Sequence, residues 1–224
     1  MLFPYHFDSP LTPSAVKIQR ENLKELERQH FADYSVFELI ANRTQFCDDL
    51  LKQLWQQFEL DKANLTLIAV GGYGRQEMFP LSDLDVLILS KEERGIEAEE
   101  KIAQFVQFLW DCGFDVGHSV RSLEECEKEG KQDITIATNL LESRYLSGDV
   151  SFFNALEEIL KKPDFWAVKS FFDAKVQEQI ERYQRYHNTS YNLEPDLKYS
   201  PGGLRDLHLL YWIALRHTLS LIHI

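Results

Sequence analysis

The sequence contains few cysteines, and the three that it has lie far apart. Cys47, Cys112 and Cys126 form no C-x-x-C pair, and an odd number cannot all be joined within one chain. This pattern excludes a disulfide framework and a zinc knuckle, both of which need closely spaced or evenly numbered cysteines. We therefore expect three reduced cysteines that serve mainly in packing.

Long apolar runs and an excess of basic residues are also missing. No stretch approaches the roughly 18 consecutive apolar residues of a membrane-spanning helix, and residues 1–15 lack the regions of a signal peptide. The 36 acidic residues outnumber the 24 Lys and Arg residues, which gives a formal net charge of −12. Such a charge repels the phosphate backbone of nucleic acids. We expect a cytoplasmic protein with neither a membrane nor a nucleic acid as partner.

The composition is that of a folded globular protein, since 44% of the 224 residues are hydrophobic and only 27% are charged. Apolar residues at helical spacing predict helices over 14–30, 36–58, 97–111, 134–146, 152–161, 165–187 and 204–217. Short apolar runs predict strands over 65–70, 84–89 and 114–120. Together they predict an α+β fold in which a small mixed sheet is flanked by helices at both ends of the chain.

A glycine pair and two aspartates stand at the ends of the first two predicted strands. Gly71 and Gly72 follow the first strand, and Asp83 and Asp85 open the second. Because alternate residues of a strand point to the same face, the two carboxylates project together. A cation between them relieves their repulsion, and hard oxygen ligands favour Mg²⁺ or Mn²⁺. The aspartate pair therefore predicts a divalent-metal site.

The glycine turn predicts a phosphate site beside that metal. Glycines let backbone N–H groups approach an anion closely, and Arg75 can add a bidentate contact. Metal and triphosphate together suit nucleotidyl transfer, in which two ions about 3.5–4 Å apart serve the attacking oxygen and the leaving phosphates. The common phosphate loops do not fit, because G-x-x-x-x-G-K-[ST] is missing and Gly72-x-Gly74 lacks a third glycine.

These residues resemble a known family. The glycine pair followed by D-x-D is similar to the signature of the polymerase β-like nucleotidyltransferase superfamily. The string GGYGRQEMFPLSDLDVLIL (71–89) resembles the N-terminal domain of the PII uridylyltransferase/uridylyl-removing enzymes. Three more strings resemble the same family in the same order: LWDCGFDVGHSVR (109–121), ATNLLESR (137–144) and LKYSPGGLRDLH (197–208).

The resemblance implies a polymerase β-like fold and a specific reaction. The reaction is transfer of UMP from UTP to a tyrosine hydroxyl of the PII nitrogen-regulatory protein, with release of pyrophosphate and with Mg²⁺ or Mn²⁺ as cofactor. The implied domains are an N-terminal helical lead (1–60), a nucleotidyltransferase domain (61–147) and a C-terminally truncated helical region (148–224).

The resemblance also implies the residues of the site. The predicted catalytic residues are Asp83, Asp85 and Asp115, with the metal on the first two. The predicted nucleotide-binding residues are Gly71, Gly72, Arg75 and Ser82. The third carboxylate stays open, because Gly117 best matches the acidic position of the superfamily and Asp133 is the alternative to Asp115.

The sequence departs from the family at two positions and leaves other functions open. Gln76 and Met78 stand where the family usually has glycine and leucine, and neither is a proposed ligand. The chain contains no His-Asp dipeptide, so the uridylyl-removing HD domain and the glutamine-sensing ACT domains are expected outside these 224 residues. A nucleotidyltransferase that acts on a small-molecule hydroxyl, and an inactive fragment, are the alternative functions.

Overall fold

The computed structural model describes residues 3–90, 95–189, 194 and 196–221. The chain divides into two compact units. The first unit consists of Met1–Glu125 and Glu142–Ala155, and the second of Cys126–Leu141 and Leu156–Ile224. The three-part division expected from the sequence stays a prediction.

Helices and strands alternate irregularly along the chain. The described helices are α1 (Pro13–Gln29), α2 (Val36–Gln57), α3 (Gly71–Gly74), α4 (Ile96–Asp111), α5 (Leu123–Gln132), α6 (Ile134–Leu141), α7 (Val150–Lys161), α8 (Val168–Arg185) and α9 (Leu204–Leu221). The described strands are β1 (Thr66–Ala69), β2 (Val86–Ser90), β3 (His118–Ser122) and β4 (Arg144–Gly148). Residues 91–94, where the sequence places the end of the second strand, and residues 222–224, at the predicted break, lie outside the described residues.

The strands form one mixed sheet in the order β3-β2-β1-β4. Strand β1 pairs antiparallel with both β2 and β4, whereas β2 and β3 are parallel. Every residue of β1 and β2 is buried. Their continuous apolar runs therefore reflect a sheet covered on both faces. The predicted small mixed sheet is confirmed.

Helix α2 supplies much of the core of the first unit. A complete capping box between Ser35 and Glu38 opens the helix, as the sequence predicts. Its inward face is fully buried, and Trp55 meets Phe105 of α4 edge to face, with ring centroids 5.7 Å apart. Each such buried apolar side chain contributes roughly 1.5–3 kcal/mol. All three cysteines are free and buried, as expected.

The helix predicted over 134–146 is wrong in its second half. Helix α6 ends at Leu141, and strand β4 begins at Arg144. The helical pattern reaches into this segment, but pairing with β1 decides its structure. Gly148 ends the strand with φ of 95°, and a Cβ there would lie 2.1 Å from the carbonyl oxygen of Leu65.

Two further differences concern the segment that follows α4. The third strand begins at His118 rather than at residue 114. Helix α5 was not predicted, because its sequence is largely polar. Reciprocal bonds from Ser122 N to Glu125 Oε2 (2.7 Å) and from Glu125 N to Ser122 Oγ (3.1 Å) form a capping box at its start. That S-x-x-E signal is readable in the sequence.

The second unit is helical and holds a fully buried arginine. Arg216 of α9 donates to the carbonyl oxygens of Leu160 (2.5 Å), Lys162 (2.8 Å) and Trp166 (2.7 Å). These carbonyls lie at and beyond the end of α7, where helical geometry leaves such groups without intrahelical partners. One side chain thus fastens α9 to the end of α7. Within the described part of the chain, no helix is long and apolar enough to cross a membrane.

We expect Arg216→Leu to lower the free energy of unfolding by about 3 kcal/mol, because three hydrogen bonds from the guanidinium are lost at about 1 kcal/mol each. Thermal denaturation followed by circular dichroism measures the change. Arg28→Leu, which removes an arginine whose side chain is 79% exposed, is the matched control. Equal melting temperatures for the two variants would contradict the assigned role.

Candidate active site

The glycine turn forms the short helix α3 directly after β1. Gly71 has φ of 58°, a conformation that favours glycine. The first intrahelical bond runs from Gly74 N to Val70 O (2.9 Å). The N–H groups of Gly71, Gly72 and Tyr73 precede that bond, and such leading N–H groups have no partner within a helix. This arrangement suits a phosphate oxygen.

A third glycine fixes the position of this turn. A Cβ on Gly74 would lie 2.0 Å from the carbonyl oxygen of Glu142 and 3.0 Å from that of Ala69. The turn therefore packs directly against the backbone that leads into β4. Sequence reasoning used Gly74 only to reject a dinucleotide-binding loop and missed this role. Its spacing alone does not reveal a contact with residue 142.

Backbone hydrogen bonds place the two aspartates beside the glycine turn. Val70, the residue before the turn, donates its N–H to the carbonyl oxygen of Asp85 (3.1 Å). Asp85 is half-buried, whereas Asp83 is exposed. The end of β1 and the start of β2 thus bring the predicted phosphate and metal residues to one edge of the sheet.

The parallel pairing of β2 with β3 continues into the segments that precede the two strands, and these segments carry the aspartates. Leu84 N donates to Asp115 O, and Val86 N donates to Gly117 O, both at 2.8 Å. This spacing continues the register in which Val86 lies opposite His118. Asp85 is therefore opposite Gly117, and Asp83 is opposite Asp115. Paired residues of neighbouring strands share a face, so the three aspartates project to the same side of the sheet.

Gly117 makes room for the carboxylate of Asp85. A Cβ at position 117 would lie 2.2 Å from Asp85 Oδ1. The position that best matches the acidic residue of the superfamily therefore lies directly against Asp85 and carries no side chain here. The exposed Asp115 stands two residues earlier on the same face. Among the described residues, no three His, Cys, Asp or Glu side chains gather closely enough to hold a metal ion.

The alternative third carboxylate, Asp133, has a structural role. Its Oδ1 accepts hydrogen bonds from Thr135 N (2.7 Å) and Ile136 N (3.3 Å). These contacts cap the start of α6 in the second unit. Such a cap accounts for an aspartate at this position.

Arg75 lies next to the glycine turn but is already paired. Its guanidinium donates to the buried carboxylate of Glu142 and to Glu77 Oε2 (2.8 Å). Burial by itself lowers the pKa of Arg75, but the two carboxylates outweigh it and raise the pKa. A Cβ on Gly72 would lie 3.8 Å from Arg75 Nη2. The guanidinium thus supports the turn, and the two carboxylates balance most of its positive charge.

Ser82 shapes the loop that delivers Asp83. Phe79 N donates to Ser82 Oγ, and Ser82 N donates to Phe79 O, both at 3.1 Å. These reciprocal bonds close a tight turn just before the aspartate pair. The described contacts of Ser82 are therefore those of a turn former.

A buried polar network joins the glycine turn to α2 and β4. Tyr73 donates its hydroxyl to Asp48 Oδ1 (2.7 Å), and Arg144 binds both oxygens of Asp48 at 2.7 and 3.0 Å. Arg144 also reaches the carbonyl oxygen of Tyr73 (3.3 Å). Burial, together with neighbouring groups that include Asp48, raises the pKa of Tyr73 well above its usual value. Sequence reasoning missed this network, although Asp48 is an acidic residue within an apolar helix face.

Two known families match the chain in succession. The family described as Nucleotidyltransferase domain matches residues 49–165, which contain the glycine turn and all three predicted catalytic aspartates. The family described as GlnD PII-uridylyltransferase matches residues 170–222. The two matches are adjacent and cover different parts of the chain.

Curated relatives match almost the whole chain. A bifunctional uridylyltransferase/uridylyl-removing enzyme of Haemophilus influenzae (strain 86-028NP) is 69% identical over 97% of this chain. Enzymes of the same name from Pasteurella multocida (strain Pm70) and Vibrio cholerae serotype O1 are 67% and 46% identical over 97% and 96% of it. The chain spans only 25% of the length of these relatives.

The first family covers more than half of the chain and carries the predicted polymerase β-like fold. The resemblance to uridylyltransferases, inferred from four short strings, extends over nearly all residues. The chain therefore belongs to the nucleotidyltransferase domain family, and its similarity to the bifunctional uridylyltransferase/uridylyl-removing enzymes is confirmed.

Proposed function

We propose that this chain carries the UMP-transferring site of a uridylyltransferase, with UTP as donor and a tyrosine hydroxyl of a PII protein as acceptor. One observation carries the proposal: the hydrogen bond from Val70 N to Asp85 O, which places the aspartate pair beside the glycine turn. The names of the relatives support a uridylyl nucleotide as donor, and the description of the second family supports a PII protein as acceptor. A cytoplasmic location belongs to the same proposal.

The residues present fit a divalent cation. Asp83 and Asp85 offer two hard carboxylates on one face of the sheet, and Gly117 leaves space beside the second. Mg²⁺ or Mn²⁺ would bind there and would supply charge neutralisation for the phosphates when bound. The side chains of Asp83 and Asp85 would hold this ion.

Groups of the protein orient the triphosphate for a single in-line displacement at its α-phosphorus. The leading N–H groups of the glycine turn bind the triphosphate and hold it against the sheet edge. The acceptor oxygen forms a bond to the α-phosphorus, the bond to the pyrophosphate oxygen breaks, and the hydroxyl proton is released. Because Gly74 and the Asp48–Tyr73–Arg144 network fix the turn, its N–H groups need little reorganisation at the moment of reaction.

We expect Asp83→Asn and Asp85→Asn, each alone, to lower UMP transfer at least a hundredfold, because each removes half of the carboxylate charge at the cation. The assay follows labelled UMP from UTP onto purified PII protein with Mg²⁺. Asp61→Asn, an exposed carboxylate outside the site, is the matched control. Undiminished labelling by either variant would refute the metal pair, and labelling of a small-molecule hydroxyl instead of PII would refute the acceptor.

The two candidates for the third carboxylate are expected to respond differently. Asp115→Asn lowers kcat at least tenfold without changing the melting temperature, because Asp115 is exposed on the face that carries the metal pair. Asp133→Asn changes kcat less than twofold and lowers stability by at most about 1 kcal/mol, because asparagine also caps helices well. Measurements of kcat and of the melting temperature for both variants test this expectation. A large loss of kcat in Asp133→Asn with none in Asp115→Asn would make Asp133 the third carboxylate.

A further inference from the structure

A cavity of about 570 Å³ lies within the second unit, among residues that the transfer chemistry does not use. Helices α6, α8 and α9 and the loop before α9 form its wall. Its basic lining residues are Lys175, Arg182, Arg185 and Arg205, and its aromatic ones are Tyr186, Tyr199 and Trp212. This volume suits a small organic ligand.

The cavity is electropositive in a chain that is strongly acidic overall. Four cationic side chains line it, and Glu178 is the acidic residue among the described lining residues, whereas the net charge of the chain is −12. Arg182 is paired with Asp206, which lies outside the lining. Lys175 is only 2% exposed and pairs with Glu178 at 2.7 Å. Arg185 and Arg205 supply the positive charge that these two pairs leave over, and this excess on one wall points to an anionic ligand.

Asp206 holds the guanidinium of Arg182 in the wall of the cavity. Its carboxylate accepts bonds from Arg182 Nη2 (2.5 Å), Tyr183 Oη (2.6 Å) and Gly202 N (2.7 Å). Burial raises the pKa of Asp206, but these hydrogen bonds outweigh it and lower the pKa to about 2. The string SPGGLRD, which resembles the uridylyltransferase family, thus builds a rigid support for Arg182.

Arg205 is held differently, by aromatic rings. Its guanidinium carbon lies 5.4 Å from the ring centroid of Tyr199 and 5.5 Å from that of Trp212. Lys175 Nζ lies 4.1 Å from the centroid of Trp212. A guanidinium over aromatic faces keeps its charge and its planar set of donors, which matches phosphate geometry. Tyr199 is 36% exposed, so its ring offers surface against which a planar group can pack. Trp212 is only 5% exposed and contacts the two cations.

We propose that this cavity binds an organic phosphate that carries an aromatic ring, the chemical class of the nucleotides. Arg205 and Arg185 contact the phosphate, and the exposed ring of Tyr199 packs against the ring of the ligand. The polar residues of α6 that line the cavity, Thr135, Thr138 and Asn139, border the ligand. Because side chains supply the positive charge, binding needs no divalent metal. The site therefore stands whether or not the first unit transfers UMP.

Isothermal titration calorimetry on the full chain in EDTA tests this proposal with UTP, pyrophosphate and inorganic phosphate. We expect UTP to bind, and Arg205→Gln and Arg185→Gln each to weaken its Kd at least tenfold. Arg28→Gln, a matched loss of one exposed arginine, and Asp61→Asn, a loss of one exposed carboxylate, change Kd less than twofold. Thermal melts verify folding, and Arg185 is exposed, so its replacement leaves the fold intact.

The remaining outcomes overturn the proposal. No binding of UTP in EDTA would remove the site. Binding that survives both Arg205→Gln and Arg185→Gln would place the ligand elsewhere. Pyrophosphate that binds as tightly as UTP would refute the aromatic part. A tenfold preference for UTP over pyrophosphate, and for pyrophosphate over phosphate, would support both parts.

Discussion

The first unit depends on the carboxylate of Asp48. A single buried aspartate on α2 accepts both the hydroxyl of Tyr73 and the guanidinium of Arg144. It thereby ties a helix, the glycine turn and an edge strand of the sheet at one point. Removing one partner of such a buried group leaves the others uncompensated, which costs about 3–5 kcal/mol for an ion pair. The backbone that faces the phosphates is therefore held from inside the core.

The adjacency of the glycine turn and the aspartate pair could be predicted because it follows from local rules. Strand alternation places Asp83 and Asp85 on one face, and the glycine turn and the aspartate pair each border a predicted strand. The role of Gly117 could not be read in this way. It depends on the parallel register of β3 against β2, which local periodicity does not encode.

The features that the sequence did not predict depend on contacts between residues that are far apart in the chain. Arg144 lies in a segment with helical spacing, yet pairing with Ala69 in β1 makes it strand. Arg75 has the charge of a phosphate ligand, yet Glu142, which lies 67 residues away in the sequence, already pairs with it. In both cases the deciding partner is outside the window that a sequence pattern spans. Capping signals, by contrast, are local, and the one at Ser122 shows that α5 could have been found.

The central position of β1 also has a consequence for how the chain is made. Thr66 pairs with Leu89 on one side and with Gly148 on the other. A ribosome adds about 5–20 residues per second, so the hairpin of β1 and β2 emerges several seconds before β4. Until Gly148 leaves the exit tunnel, one edge of β1, a strand that is fully buried in the folded protein, has no partner. During synthesis, the nascent chain therefore exposes an unpaired strand edge, a feature that makes folding intermediates prone to aggregate.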